Sequence, residues 1–233
     1  MTVEIIVDKR GFKGCTFVTG FHGIGETGYI TISYLIHALK AKRIGFIRVG
    51  RPPPFVTTSP QGIITPFEIY QKNRIVLFKL EFPPHRSEET ELLKSIASWI
   101  VKMKFKDAIL IGGLDSNFKA DDAEFRAVPT HSYQRNVSSL RGRILDQGLF
   151  VYGPLATLLS EFEILDFPAI AVLPYANAGR ADPGAAAIAI KNLAKMKKFK
   201  VNVADLERDA KEIEIEVNKK IKQARDSIKG VYV

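Results

Sequence analysis

The sequence predicts an α/β fold: a mixed, mostly parallel central sheet flanked by helices, followed by a long C-terminal helix. Three observations carry that prediction. Short β-branched runs alternate with stretches of helical periodicity. Two of those runs flank the polar tetrapeptide Gln71-Lys72-Asn73-Arg74, which marks a hairpin and so an antiparallel addition to the sheet. The chain has 233 residues, 46% of them hydrophobic, enough for a sizeable core in one large domain or one domain with an appendage.

In chain order, the apolar runs place strands at Val3 to Val7, Thr16 to Thr19, Ile44 to Val49, Ile63 to Tyr70, Ile75 to Leu80, Ala108 to Ile111, Leu149 to Tyr152 and Ala169 to Leu173. Helical periodicity places helices at Gly25 to Leu39, Ser87 to Lys102, Pro154 to Phe162 and Pro183 to Met196. Two helix starts carry their own signals. Asp182-Pro183 sets a capping carboxylate before a proline that has no N–H to lose. Ser87-Glu88-Glu89-Thr90 offers a hydroxyl and early acids. The segment from Asp115 to Arg143 has few apolar runs and reads as a long loop carrying Asp121, Asp122, Glu124, Arg135, Arg141 and Arg143.

The final helix is the clearest periodic element. Val203, Leu206, Ala210, Ile213, Val217, Ile221, Ala224 and Ile228 form one apolar stripe, which packs either on its own domain or on another subunit. Acids crowd its first half and bases its second, an order that suits the helix dipole. The expected division is an α/β domain over residues 1–200 and an amphipathic helix with a terminal tail over 201–233.

The formal charge of +9 invites a nucleic-acid reading, but the basic residues are scattered and no nucleic-acid motif accompanies them; an acidic protein surface fits better. No apolar run reaches the roughly 20 residues that span a bilayer, and the first residues lack a signal peptide's order, so a cytoplasmic protein is expected. Cys15 is the sole cysteine and reads as a core thiol.

Gly20-Phe21-His22-Gly23-Ile24-Gly25-Glu26-Thr27-Gly28 follows a strand and opens a helix, where glycine loops cradle phosphates. Gly23, Gly25 and Gly28 match the dinucleotide spacing, yet the acid expected on the next strand is missing from Arg43 to Arg48. The alternative is a tight turn that lets helix and sheet pack closely. His22 and Glu26 are four apart and share a helix face if the helix starts early. No nucleophile elbow or metal-ligand spacing occurs, so neither a cofactor nor catalysis is expected. The chain closes on Val231-Tyr232-Val233, an aromatic beside a carboxylate after the helix-ending Gly230, a terminus suited to insertion in a pocket.

The glycine loop, the Asp182-Pro183 start of an alanine-rich helix and the hydrophobic-Tyr-any ending together resemble the archaeal proteasome assembly chaperones. That resemblance implies a nucleoside-phosphorylase-like α/β fold without the enzyme's catalytic set, and homo-oligomers or hetero-oligomers with a paralogous chaperone. It also implies docking of Val231, Tyr232 and Val233 between α subunits of the proteasome core particle, with Tyr232 giving the aromatic contact and Val233 the carboxylate. The competing readings are a nucleoside phosphorylase or hydrolase, or a small-ligand-binding protein, using the cleft beside Gly20, His22, Gly23, Gly25 and Gly28.

Overall fold

The computed structural model describes residues 3–8, 11–59, 62–134 and 143–229, with the backbone alone at 218 and 220–229. Its strands are β1 (Glu4–Val7), β2 (Thr16–Gly20), β3 (Lys42–Arg48), β4 (Thr57–Ser59), β5 (Gly62–Ile64), β6 (Phe67–Lys72), β7 (Ile75–Leu80), β8 (Asp107–Ile111), β9 (Leu114–Asp115), β10 (Phe125–Pro129) and β11 (Ala169–Ala176). Its helices are α1 (Thr27–Ala38), α2 (Arg86–Lys102), α3 (His131–Gln134), α4 (Pro154–Ile164), α5 (Pro183–Lys197) and α6 (Ala204–Lys229).

Among the described residues nine strands form one sheet in the order β1-β3-β6-β7-β2-β8-β11-β10, with β9 on the end of β11. The centre, β7-β2-β8-β11, is parallel, while β1, β3 and β6 join antiparallel on one side and β10 on the other. Six of the nine strands (β2, β3, β7, β8, β9 and β11) therefore run one way, as the mostly parallel expectation requires. The central strands β2, β8 and β11 are buried along their whole length, because helices cover both faces. One core layer packs α2 and α4 against the sheet through Phe17, Phe78, Leu92, Ile96, Leu158 and Phe162. The opposite layer packs α1, α5 and the first turn of α6 through Val18, Ile32, Leu35, Ile190, Leu193 and Leu206.

Four details depart from the sequence reading. Leu149 to Tyr152 is a loop, whose apolar residues cover a cleft instead of entering the sheet. The segment after Asp115 contains β10, a sheet-edge strand that ends in Pro129 and is interrupted by Arg126, so its pattern hid it. Ile63 to Tyr70 splits in two: β5 pairs with β4 in a separate hairpin, and β6 pairs with β7 across a turn at Asn73. α2 begins at Arg86, because His85 is its cap; His85 Nδ1 accepts from the Ser87 amide at 3.3 Å and lies 2.7 Å from the Ser87 hydroxyl. The Asp182 cap is as expected, with Oδ1 accepting from the Ala185 amide at 3.0 Å.

α6 runs antiparallel to α5. Lys191 Nζ meets Glu207 Oε1 at 2.5 Å, and Ala210 lies level with Gly184, at the first turn of α5. α6 continues to Lys229, so about 28 Å of helix runs on past the start of α5. After Leu206 no described side chain of α6 is buried.

Candidate functional site

The parallel strands β2, β8 and β11 end side by side, and their carboxyl ends form the edge where an open α/β sheet offers a crevice. The glycine loop sits there. A Cβ on Gly28 would fall 2.5 Å from the Ile111 carbonyl oxygen and 2.6 Å from the Phe21 amide nitrogen. One on Gly20 would fall 2.6 Å from the Gly28 backbone. Gly25 adopts φ +63°, and its carbonyl accepts the Asp182 amide at 2.8 Å, tying the loop to the start of α5. Close packing of α1 on the sheet thus accounts for Gly20, Gly25 and Gly28, while the space beside Gly23 is open. The residue preceding α1 is Glu26, and a carboxylate at this helix mouth opposes a bound phosphate by like-charge repulsion.

His22 and Glu26 do meet. His22 Nδ1 lies 2.5 Å from Glu26 Oε2, and Nε2 lies 3.2 Å from the Glu81 carbonyl oxygen. The imidazole stacks on Tyr29 with ring centroids 4.1 Å apart. Tyr29 donates its hydroxyl to Glu81 Oε2 at 2.9 Å, and Lys79 pairs with the same carboxylate. Burial, and then the hydrogen bond to Glu81, raise the Tyr29 pKa above its ordinary value.

Beside the loop opens a cleft of about 720 Å³. Ile111, Leu114 and Leu173 give its floor, and the 148–155 segment its outer wall. Phe118, Phe150 and Tyr152 stand at its rim with exposures of 53%, 81% and 73%. Among its titratable groups, His22 is engaged as above and Asp115 Oδ1 accepts from the Asn117 amide at 2.9 Å.

Sequence reasoning missed Arg126, which organises the cleft's walls. This side chain is 3% exposed on β10, beside Leu173 in the β10-β11 register. Nη2 donates to Asp121 Oδ2 at 2.9 Å and Nε to Asp146 Oδ2 at 3.2 Å. Its guanidinium carbon lies 5.7 Å from the Tyr175 ring centroid. One cation thus fastens two loops, the one carrying Phe118 and the one leading to Leu149 and Phe150. The Arg126 hydrogen bond holds the Asp121 carboxyl below the usual carboxylate range, and burial raises the Tyr175 phenol. The only hint in the sequence was an arginine inside an otherwise apolar pentapeptide.

Of the other expected residues, Arg143 stacks over Phe125 at 4.9 Å and Asp122 is exposed. Arg135, Arg141, Val231, Tyr232 and Val233 lie outside the described residues. Cys15 is buried, as expected. Among the described residues no three metal-ligating side chains gather, and no helix is long and apolar enough to cross a membrane.

Solved structures share this fold. PbaA of Pyrococcus furiosus, an archaeal homologue of proteasome-assembly chaperone, matches with a TM-score of 0.81 at 22% identity, over 97% of this chain and 99% of that one. PbaB of the same organism, an archaeal proteasome activator, matches with a TM-score of 0.74 at 19% identity, over 94% and 98%. A Mycobacterium tuberculosis proteasome-assembly chaperone homologue matches with a TM-score of 0.65 at 14% identity, over 88% and 94%. No curated protein sequence gives a significant match. The sequence pattern of the PAC2 family matches residues 17–221, from the second residue of β2 well into α6, and the chain belongs to the PAC2 family.

Proposed function

We propose that this protein acts on the proteasome core particle as an assembly chaperone or activator, and that it docks on the α ring through Val231, Tyr232 and Val233. The observation that carries the reading is the PAC2 family match over residues 17–221, beside a fold shared with an archaeal proteasome activator. The course of α6 supports the tail's part in it. A helix that runs about 28 Å beyond the start of α5 suits an arm, with residues 1–200 as the body and 201–233 as the docking element. Tyr232 is the anchor of this scheme, because tyrosine offers a large contact area at low conformational cost and one directed hydroxyl. The carboxylate of Val233 meets a cation or backbone N–H groups in the receiving pocket.

The test is co-sedimentation of wild type and Tyr232→Ala with proteasome core particles from the same source. Tyr232→Ala loses binding while its melting temperature and oligomer size stay those of wild type; deletion of Val233 acts likewise by displacing the carboxylate. Equal binding by wild type and Tyr232→Ala would remove the tail from the mechanism.

A further inference from the structure

The proposed docking leaves unused the cleft at the carboxyl ends of β2, β8 and β11. Its volume of about 720 Å³ falls in the range of pockets that enclose a small organic molecule. Ile111, Leu114 and Leu173 give it an apolar floor. Its charge runs against that of the protein. The chain carries 34 Lys and Arg against 25 Asp and Glu, yet none of the described residues lining the cleft is a Lys or an Arg. Two bases nearby are turned to other partners: Arg126 is held by Asp121 and Asp146, and Lys119 Nζ lies 5.9 Å from the centroid of the Tyr175 ring. The carboxylate in the lining is Asp115. One of its oxygens accepts from the Asn117 amide, and among the described residues no cation pairs with it.

Aromatic rings share the cleft with that carboxylate. Phe118 belongs to the single 3₁₀ turn that Asp115 caps, and Phe150 and Tyr152 come from the outer wall. None of the three stacks on another ring among the described residues, so their faces are open, and exposed rings gathered at one mouth mark a contact surface. The face of an aromatic ring is electron-rich and attracts a cation, more strongly where water is excluded. We infer that the cleft binds a lipophilic organic cation, an apolar ring or chain that carries a protonated or quaternary amine. The apolar part covers Ile111, Leu114 and Leu173, and the ammonium is held by the Asp115 charge and the faces of the rim rings. An anion is repelled by Asp115 and by Glu26, which sits on His22 in the cleft wall. A neutral molecule of the same shape gains the apolar burial alone. This inference does not rest on the docking reading; its variants leave Val231, Tyr232 and Val233 intact, so loss of ligand and loss of proteasome binding are read separately.

The experiment is titration calorimetry on the purified full chain at pH 7 with tryptamine, tryptophol and indolepropionate, which join one ring system to a cationic, a neutral and an anionic head. Tryptamine binds about tenfold more tightly than tryptophol, and indolepropionate binds more weakly than either. Asp115→Asn keeps an oxygen acceptor for the Asn117 amide and removes the charge, so it lowers the affinity for tryptamine to that for tryptophol. Phe150→Leu, at a position 81% exposed, keeps apolar area and removes a ring face; it weakens tryptamine about threefold and leaves tryptophol unchanged. Both variants keep the melting temperature of wild type. Equal binding of tryptamine and tryptophol, tightest binding of indolepropionate, or no binding of any of the three overturns the inference, and so does a preference for tryptamine that survives Asp115→Asn.

Discussion

At the start of α1 a Cβ on Gly20 would run into the Gly28 backbone at 2.6 Å, whereas beyond Leu206 α6 buries none of its described side chains. The two regions teach opposite lessons about why a residue is what it is. In the first, residue identity follows from what the chain's own backbone leaves room for. In the second, no described side chain is enclosed by the body, yet apolar residues recur with helical spacing at Ala210, Ile213 and Val217.

Substitutions can break or sharpen that contrast. Gly28→Val puts side-chain atoms into the Ile111 carbonyl and the Phe21 amide, and it lowers stability by at least about 4 kcal/mol, read by urea unfolding. Leu206→Ala, in the first turn of α6 where it is buried on the body, costs about 2–4 kcal/mol in the same assay.

Arg126→Leu sits between the two extremes. It removes a buried guanidinium whose two carboxylate partners are about half exposed, and it costs about 1–2 kcal/mol at neutral pH. The pH dependence has a definite sign. The Asp121 pKa is lowered in the folded state, so its favourable interaction is fully present above the ordinary carboxylate range and is lost as pH falls through the lowered value. The gap between wild type and Arg126→Leu therefore narrows below about pH 4, read by unfolding at pH 7 and pH 3. The smallest effect is expected from Ile215→Ala. At 68% exposure on the projecting part of α6, it shifts the stability of the body by no more than about 0.5 kcal/mol. A larger loss would mean that the arm packs on its own body.

How much could be read in advance divides along the same line. Strands buried on both faces, such as β8 with Ala108 to Ile111, announce themselves as continuous apolar runs, and the Asp182-Pro183 start of α5 carries its cap in the sequence. The hairpin of β6 and β7 was legible from its polar turn. β10 was not, because an edge strand tolerates both a buried arginine and a terminal proline, and each reads locally as loop. Leu149 to Tyr152 failed in the other direction: a run that is apolar because it walls a cleft looks the same as one that is apolar because it lies in a sheet. Of the site, His22 and Glu26 meet, though not on the shared helix face that their spacing of four suggested, because α1 starts only at Thr27; Glu81 is brought to His22 and Tyr29 from more than 50 residues along the chain.

The position of β2 also governs the order of events when the chain first folds. It is the second strand made, yet its partners are β7 and β8, and the Thr16 hydroxyl donates to an Asp107 carboxylate 91 residues away. On the ribosome β2 emerges with no neighbour for its backbone amides until Ile75 to Leu80 arrives, and with none on its other side until Asp107 to Ile111 follows. Of the sheet pairings, β2 with β8 therefore spans the longest stretch of chain, and closing the sheet over Thr16–Gly20 is a non-local, slow step.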